Sequence, residues 1–192
     1  MNRTGIYLLL LGCASAVAPA AMAQEPSGVP QWHQSQRTMT SDPYTTYTFR
    51  RFNLVGRYAD TRLQTADPPA LAIDCVPAAG SDQSQGRYLA ANLRAGSALK
   101  VIYVEPLEIH GYSYFPEVAV QYSTDSAGGT KDTWSMGSDK KSVSVPRRAL
   151  KELLHARAVA IVAQDDHGRQ LAMRFDMPDP TPVVNDCNLD LR

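Results

Sequence analysis

The stretch Ala158–Met177, AVAIVAQDDHGRQLAMRFDM, decides the fold. Two apolar runs of about strand length flank Asp165-Asp166-His167-Gly168, and Gly168 suits the positive φ angle that a tight connection demands. The segment therefore predicts an antiparallel β-hairpin. Asp165, Asp166 and His167 also form a compact polar triplet for which metal or acid–base chemistry is conceivable, but short polar residues are what such a turn requires, and the turn reading is preferred.

Working outward, further runs share this character: YTTYTF (Tyr44–Phe49), PALAIDCVP (Pro69–Pro77), GRYLAANL (Gly86–Leu93), SALKVIYVEPLEI (Ser97–Ile109) and EVAVQYS (Glu117–Ser123). Each is rich in β-branched, aromatic or small apolar residues and is bounded by Pro, Gly, Asp or Ser. In Ala70–Cys75 the period of two places Leu71, Ile73 and Cys75 on one face, so Cys75 points toward the core. The expected architecture is a mainly β protein, an antiparallel β-sandwich.

One helix interrupts the strands. In SVPRRALKELLHARA (Ser144–Ala158), Ser144 is positioned to cap, Pro146 suits the first turn, and Ala149, Leu150, Leu153 and Leu154 form an apolar stripe of helical period. The stripe predicts packing on a sheet. The opposite face carries Arg147, Arg148, Lys151 and His155, with Glu152 among them. A solvated polar face accounts for this set, and Arg148 and Lys151 remain candidates for contact with a protein partner.

The chain starts with MNRTGIYLLLLGCASAVAPAAMAQ, in which Arg3 precedes an apolar core and small residues end at Ala21-Met22-Ala23. This is the layout of a bacterial secretory signal peptide over residues 1–23, with a mature chain from Gln24 and a periplasmic or secreted destination. A lipoprotein signal ending at Leu10-Leu11-Gly12-Cys13 is the rival reading and would put a lipid anchor on Cys13. Residues 24–40 read as an N-terminal tether and 41–192 as a single domain, enough chain to bury a full core. Cleavage leaves Cys75 and Cys187. Two cysteines in an oxidising compartment ordinarily pair, and the alternative is a pair of buried free thiols.

The 19 basic and 19 acidic residues balance, with no basic block or acidic tail to recommend nucleic acid or a charged polymer as partner. There is no G-x-S-x-G elbow, no phosphate-binding glycine loop and no H-E-x-x-H pair. His33, His110, His155 and His167 are widely spaced. The sequence thus offers no catalytic residue, cofactor or metal ligand set. HGYSYFPE (His110–Glu117) places Tyr112, Tyr114 and Phe115 between Gly111 and Pro116, as aromatic candidates for a protein interface or as a local plug over the end of the sandwich.

Taken in order, Trp32, TMTSD (Thr38–Asp42), LAIDC (Leu71–Cys75), VQYSTD (Val120–Asp125), DTWSMGSD (Asp132–Asp139), the Val145–Arg157 helix and AMRFDM (Ala172–Met177) with a terminal cysteine resemble the type VI secretion-associated periplasmic proteins of the TagO/VasI kind. Asp74 and Ser123 depart from that pattern, standing where basic residues are usual. The resemblance implies structural roles for Trp32, Cys75, Trp134, Phe175 and Cys187, and transfers no catalytic residue. The resulting expectation is a non-enzymatic accessory or adaptor domain that binds an envelope or secretion-system protein. An envelope inhibitor or immunity protein directed at a toxin or hydrolase is the alternative.

Overall fold

The computed structural model describes residues 29–42, 45–63, 67–75, 89–102, 116–125 and 128–189. Two five-stranded antiparallel sheets face one another. The first orders its strands β1 (His33–Asp42), β2 (Thr45–Val55), β4 (Ala70–Cys75), β5 (Leu89–Arg94) and β8 (Ser142–Ser144). The second orders β3 (Arg57–Tyr58), β10 (Gln170–Asp176), β9 (Ala158–Gln164), β6 (Glu117–Thr124) and β7 (Thr130–Ser135). Side chains from both sheets merge in one core, with Phe52, Leu71, Ile73 and Leu93 from the first and Val120, Ile161, Met173 and Phe175 from the second.

Strict alternation produces this core. In β9 and β10, Val159, Ile161 and Ala163 pair across from Phe175, Met173 and Leu171, and all six are buried. The hairpin between them closes as the sequence predicts. Gly168 adopts φ 79° and donates its N–H to the carbonyl of Asp165 at 2.9 Å. A Cβ added at Gly168 would meet nothing within 4 Å. The expected cost of Gly168→Ala is therefore conformational alone, about 1 to 2 kcal/mol in equilibrium denaturation.

Several backbone contacts link the sheets among the described residues. Strand β2 turns the corner into β3 through Gly56, where a Cβ would lie 2.6 Å from both the Arg174 carbonyl oxygen and the Phe175 ring. On the far side, Met136 just beyond β7 bridges Val143 of β8. The long run Ser97–Ile109 contributes no regular strand among its described residues. Leu99 instead bridges Asp165, and Ile102 bridges Glu117.

The predicted helix is α1 (Arg147–His155), and Ala149, Leu150, Leu153 and Leu154 are its buried residues. Ser144 does not cap it. Ser144 is the last residue of β8, and Pro146 occupies the cap position without a side-chain hydrogen bond. The first helical carbonyl partner is Pro146 itself, whose C=O accepts from Leu150 N–H at 2.9 Å. A second helix, α2 (Thr181–Cys187), was not anticipated. Its first turn is organised by Asp179, which accepts from the Thr181 hydroxyl at 2.7 Å and the Thr181 N–H at 3.0 Å. Left-handed Asn188 ends it at φ 48°.

The first strand begins at His33, inside the stretch read as a tether. Trp32, just before it, is buried against Phe52 edge-on at 6.4 Å and donates its indole N–H to the Asp179 carbonyl at 3.1 Å. Cys75 and Cys187 form a disulfide with Cα atoms 5.3 Å apart. That bridge joins α2 to β4, and an Arg50–Asp186 ion pair adds a second tie from β2. The five positions marked by the resemblance, Trp32, Cys75, Trp134, Phe175 and Cys187, are all buried.

Candidate functional site

Tyr112, Tyr114 and Phe115 lie outside the described residues. The residues on either side of that segment, Ile102 and Pro116, are described. Ile102 N–H donates to the Glu117 carbonyl at 2.8 Å, and Met136 N–H to the Pro116 carbonyl at 2.7 Å. Beside these bonds is a cleft of about 510 Å³ lined by Leu99, Lys100, Val101, Met136, Lys140 and Asp166 among others. Its lining is mostly apolar and includes two lysines and one aspartate.

Arg148 and Lys151 belong to α1, away from its buried stripe. Arg148 is almost fully exposed and pairs with Glu152 one turn on, at 3.4 Å. Glu152 also accepts the Tyr122 hydroxyl at 2.9 Å, which fastens the helix to β6. Burial first, then donation to Glu152 and the negative charges of Glu152 and Asp132, push the Tyr122 hydroxyl up to about 12. Tyr122 is thus a neutral donor at any physiological pH and holds the helix in place. Trp134 stacks at a tilt on Tyr122, 5.8 Å between ring centres, and donates to Asp132 at 3.0 Å. The Tyr122–Glu152 bond ties the helix to the sheet, and the Trp134–Asp132 bond lies within β7.

The Asp165-Asp166-His167 triplet divides on folding. Asp166 and His167 are exposed, whereas Asp165 is the buried charged residue of the described set. Burial would raise its carboxyl, but the N–H and guanidinium of Arg169, the positive charge there and the His167 N–H outweigh it and hold the carboxyl below its ordinary value. Its contacts are 2.7 Å to Arg169 N–H, 2.7 Å to Arg169 Nε and 3.1 Å to His167 N–H. A depressed native pKa contributes stability that is complete above the unfolded carboxyl value and is lost as pH falls through the lower native value. Asp165→Asn is expected to destabilise the protein at neutral pH, and the gap to wild type should narrow below about pH 4 in denaturation at stepped pH. A gap independent of pH would remove the ionised carboxylate from the account.

A feature missed in the sequence is that β1 ends the first sheet, with no further strand paired to it among the described residues. Strand β1 pairs with β2 in unbroken register from His33↔Asn53 to Thr40↔Thr46, with an irregularity only between Thr40 and Asp42. Strand β4 covers the other side of β2 only from Arg50 to Val55, so among the described residues the far half of the β1–β2 hairpin has no third strand. From His33 to Thr38 every side chain of β1 is exposed, on both faces. HQSQRTMTSD has no apolar period, which is why it reads as tether. The usable signal is the pair Thr38 and Thr40 ahead of the Asp42-Pro43 dipeptide and of a second, threonine-rich run from Thr45 to Thr48.

Among the described residues there is no group of three or more His, Cys, Asp or Glu placed to hold a metal, and no helix long and apolar enough to cross a membrane. Compared with protein-family models, curated proteins and solved structures, the chain matches none.

Proposed function

We propose that this chain is a non-enzymatic accessory domain of the bacterial cell envelope whose work is to bind another protein. The observation that carries this reading is the ten-residue strand β1, which among the described residues has no strand paired along its outer edge, in a sandwich with an apolar core. An exposed row of backbone donors and acceptors is a template for a partner chain. The disulfide supports an oxidising compartment, in keeping with the signal-peptide layout of residues 1–23. The polar side chains described above serve the fold: Asp165 closes a turn, Glu152 seats α1, and Asp186 holds α2. The likeness to TagO/VasI-type proteins puts the partner, on this proposal, among type VI secretion or neighbouring envelope components.

Affinity capture from intact envelope, followed by mass spectrometry, tests the reading. The expected result is one enriched envelope protein together with a bait that begins at Gln24 and carries no lipid. A bait that enriches nothing, at several expression levels and with crosslinking, would overturn it.

A further inference from the structure

The four sheet edges are not equivalent. Strand β3 has two residues and β8 has three, and β8 is further bridged by Met136. Strand β7 has six residues and carries Lys131 and Asp132. Short strands, charges and covering contacts are ways in which proteins keep edges from pairing with other chains. Strand β1, by contrast, runs eight consecutive residues from His33 to Thr40 in regular register. It also overhangs the sandwich. Gln34 and Gln36 pair with Phe52 and Arg50, and Gln34 shares the inward phase of Phe52, yet both glutamines are exposed. The second sheet therefore does not cover β1 there, and among the described residues no further strand pairs with it.

We propose that β1 is a strand-addition site for an extended, acidic segment of a partner protein, a reading that rests on the protein-binding function above. The outward face of the edge bears His33, Ser35 and Arg37, alongside Arg51 of β2. Asp74 holds Arg51 through two contacts of 2.6 Å. Arg37 is exposed and makes no ion pair with a described residue. An incoming strand with a carboxylate side chain on this face meets that charge, and opposite charges on neighbouring strands favour pairing. A second folded copy fits the edge less well. From His33 to Thr38 both faces of β1 are polar, so self-pairing there adds little apolar area, and stable interfaces bury at least about 1,200 Å². An extended segment draws its affinity from main-chain hydrogen bonds and needs no such area.

The test uses the mature protein and a blocked octapeptide of alternating threonine and valine with one central glutamate, compared with its lysine counterpart. Fluorescence anisotropy should show the glutamate peptide binding more tightly, and backbone amide exchange should slow along His33–Thr40. Arg37→Glu should reverse the preference, with a change in the ratio of the two affinities of about fivefold or more. Equal binding of the two peptides, protection elsewhere in the fold, or a ratio unchanged by Arg37→Glu would overturn the proposal. So would dimerisation through the same amides in the absence of peptide. Envelope capture separates this from the wider reading: a partner retained equally by wild type and Arg37→Glu, with no peptide binding, sinks the edge site and leaves the protein-binding function standing.

Discussion

Replacing Cys75 and Cys187 together with serine should lower the melting temperature by about 10 °C or more, making this the largest single loss expected in the fold. The bridge spans a sequence separation of 112 residues. In the chain-entropy description, closing a loop of that order removes about 4 to 5 kcal/mol of freedom from the unfolded chain. For a domain of this size each kcal/mol is worth about 2 to 4 °C. Locally the bridge has help, since the Arg50–Asp186 pair and the Trp32 bond to the Asp179 carbonyl do not involve either cysteine. The folded state of the variant should therefore keep its sandwich while α2 becomes the first site of proteolysis. Peptide mapping without reduction checks the bridge itself, and thermal unfolding checks its worth. An unchanged melting temperature would mean that the bridge constrains nothing the other contacts do not already hold.

How much of this was readable in advance depended on whether one signal dominated each segment. Ala158–Met177 was legible because apolar alternation, strand length and a turn with glycine all point the same way. Cys75 was legible in phase because Leu71 and Ile73 fix the inward face of β4, and the burial of all three follows. The apolar stripe of α1 was legible for the same reason at helical period. Its start was not. Ser144 has the chemistry of a cap, but strand pairing of Ser144 with Asn92 claims its backbone first, and the helix begins only after Pro146.

Two of the elements absent from the sequence reading, α2 and β1, lack the signal for opposite reasons. Helix α2 is seven residues long and buries only Val183 and Cys187, too few positions to establish a period. It owes its stability to the disulfide, the Asp179 turn and the Arg50–Asp186 pair, which are all tertiary or local polar contacts. Strand β1 buries no described side chain from His33 to Thr38, so no hydrophobic pattern exists to be read. What makes it a strand is pairing with β2. The candidate interaction edge was hidden from pattern reading by the property that makes it a candidate: its side chains and its outer backbone are turned to solvent.

The remaining large effect lies at α1. Leu153→Ala is expected to cost about 2 to 5 kcal/mol, because Leu153 is fully buried beneath the helix and truncation leaves a void as well as removing apolar contact. Relaxation into that void is restrained. Glu152, the preceding residue, holds the Tyr122 hydroxyl at 2.9 Å, and Tyr122 is itself packed on Trp134, so the helix cannot settle inward without disturbing that stack. The cost should accordingly fall in the upper half of the range. Lys151→Ala, two residues earlier and outside the buried stripe, should change stability by no more than about 0.5 kcal/mol in the same urea titrations. Similar small effects for the two variants would mean that α1 is not seated on the sheet by its leucines. Loss of envelope-partner capture in Lys151→Ala at unchanged stability would move the docking surface from the β1 edge to the basic side of this helix, whereas unaffected capture leaves the exposed Arg147 and Arg148 as the solvated face that an amphipathic helix requires.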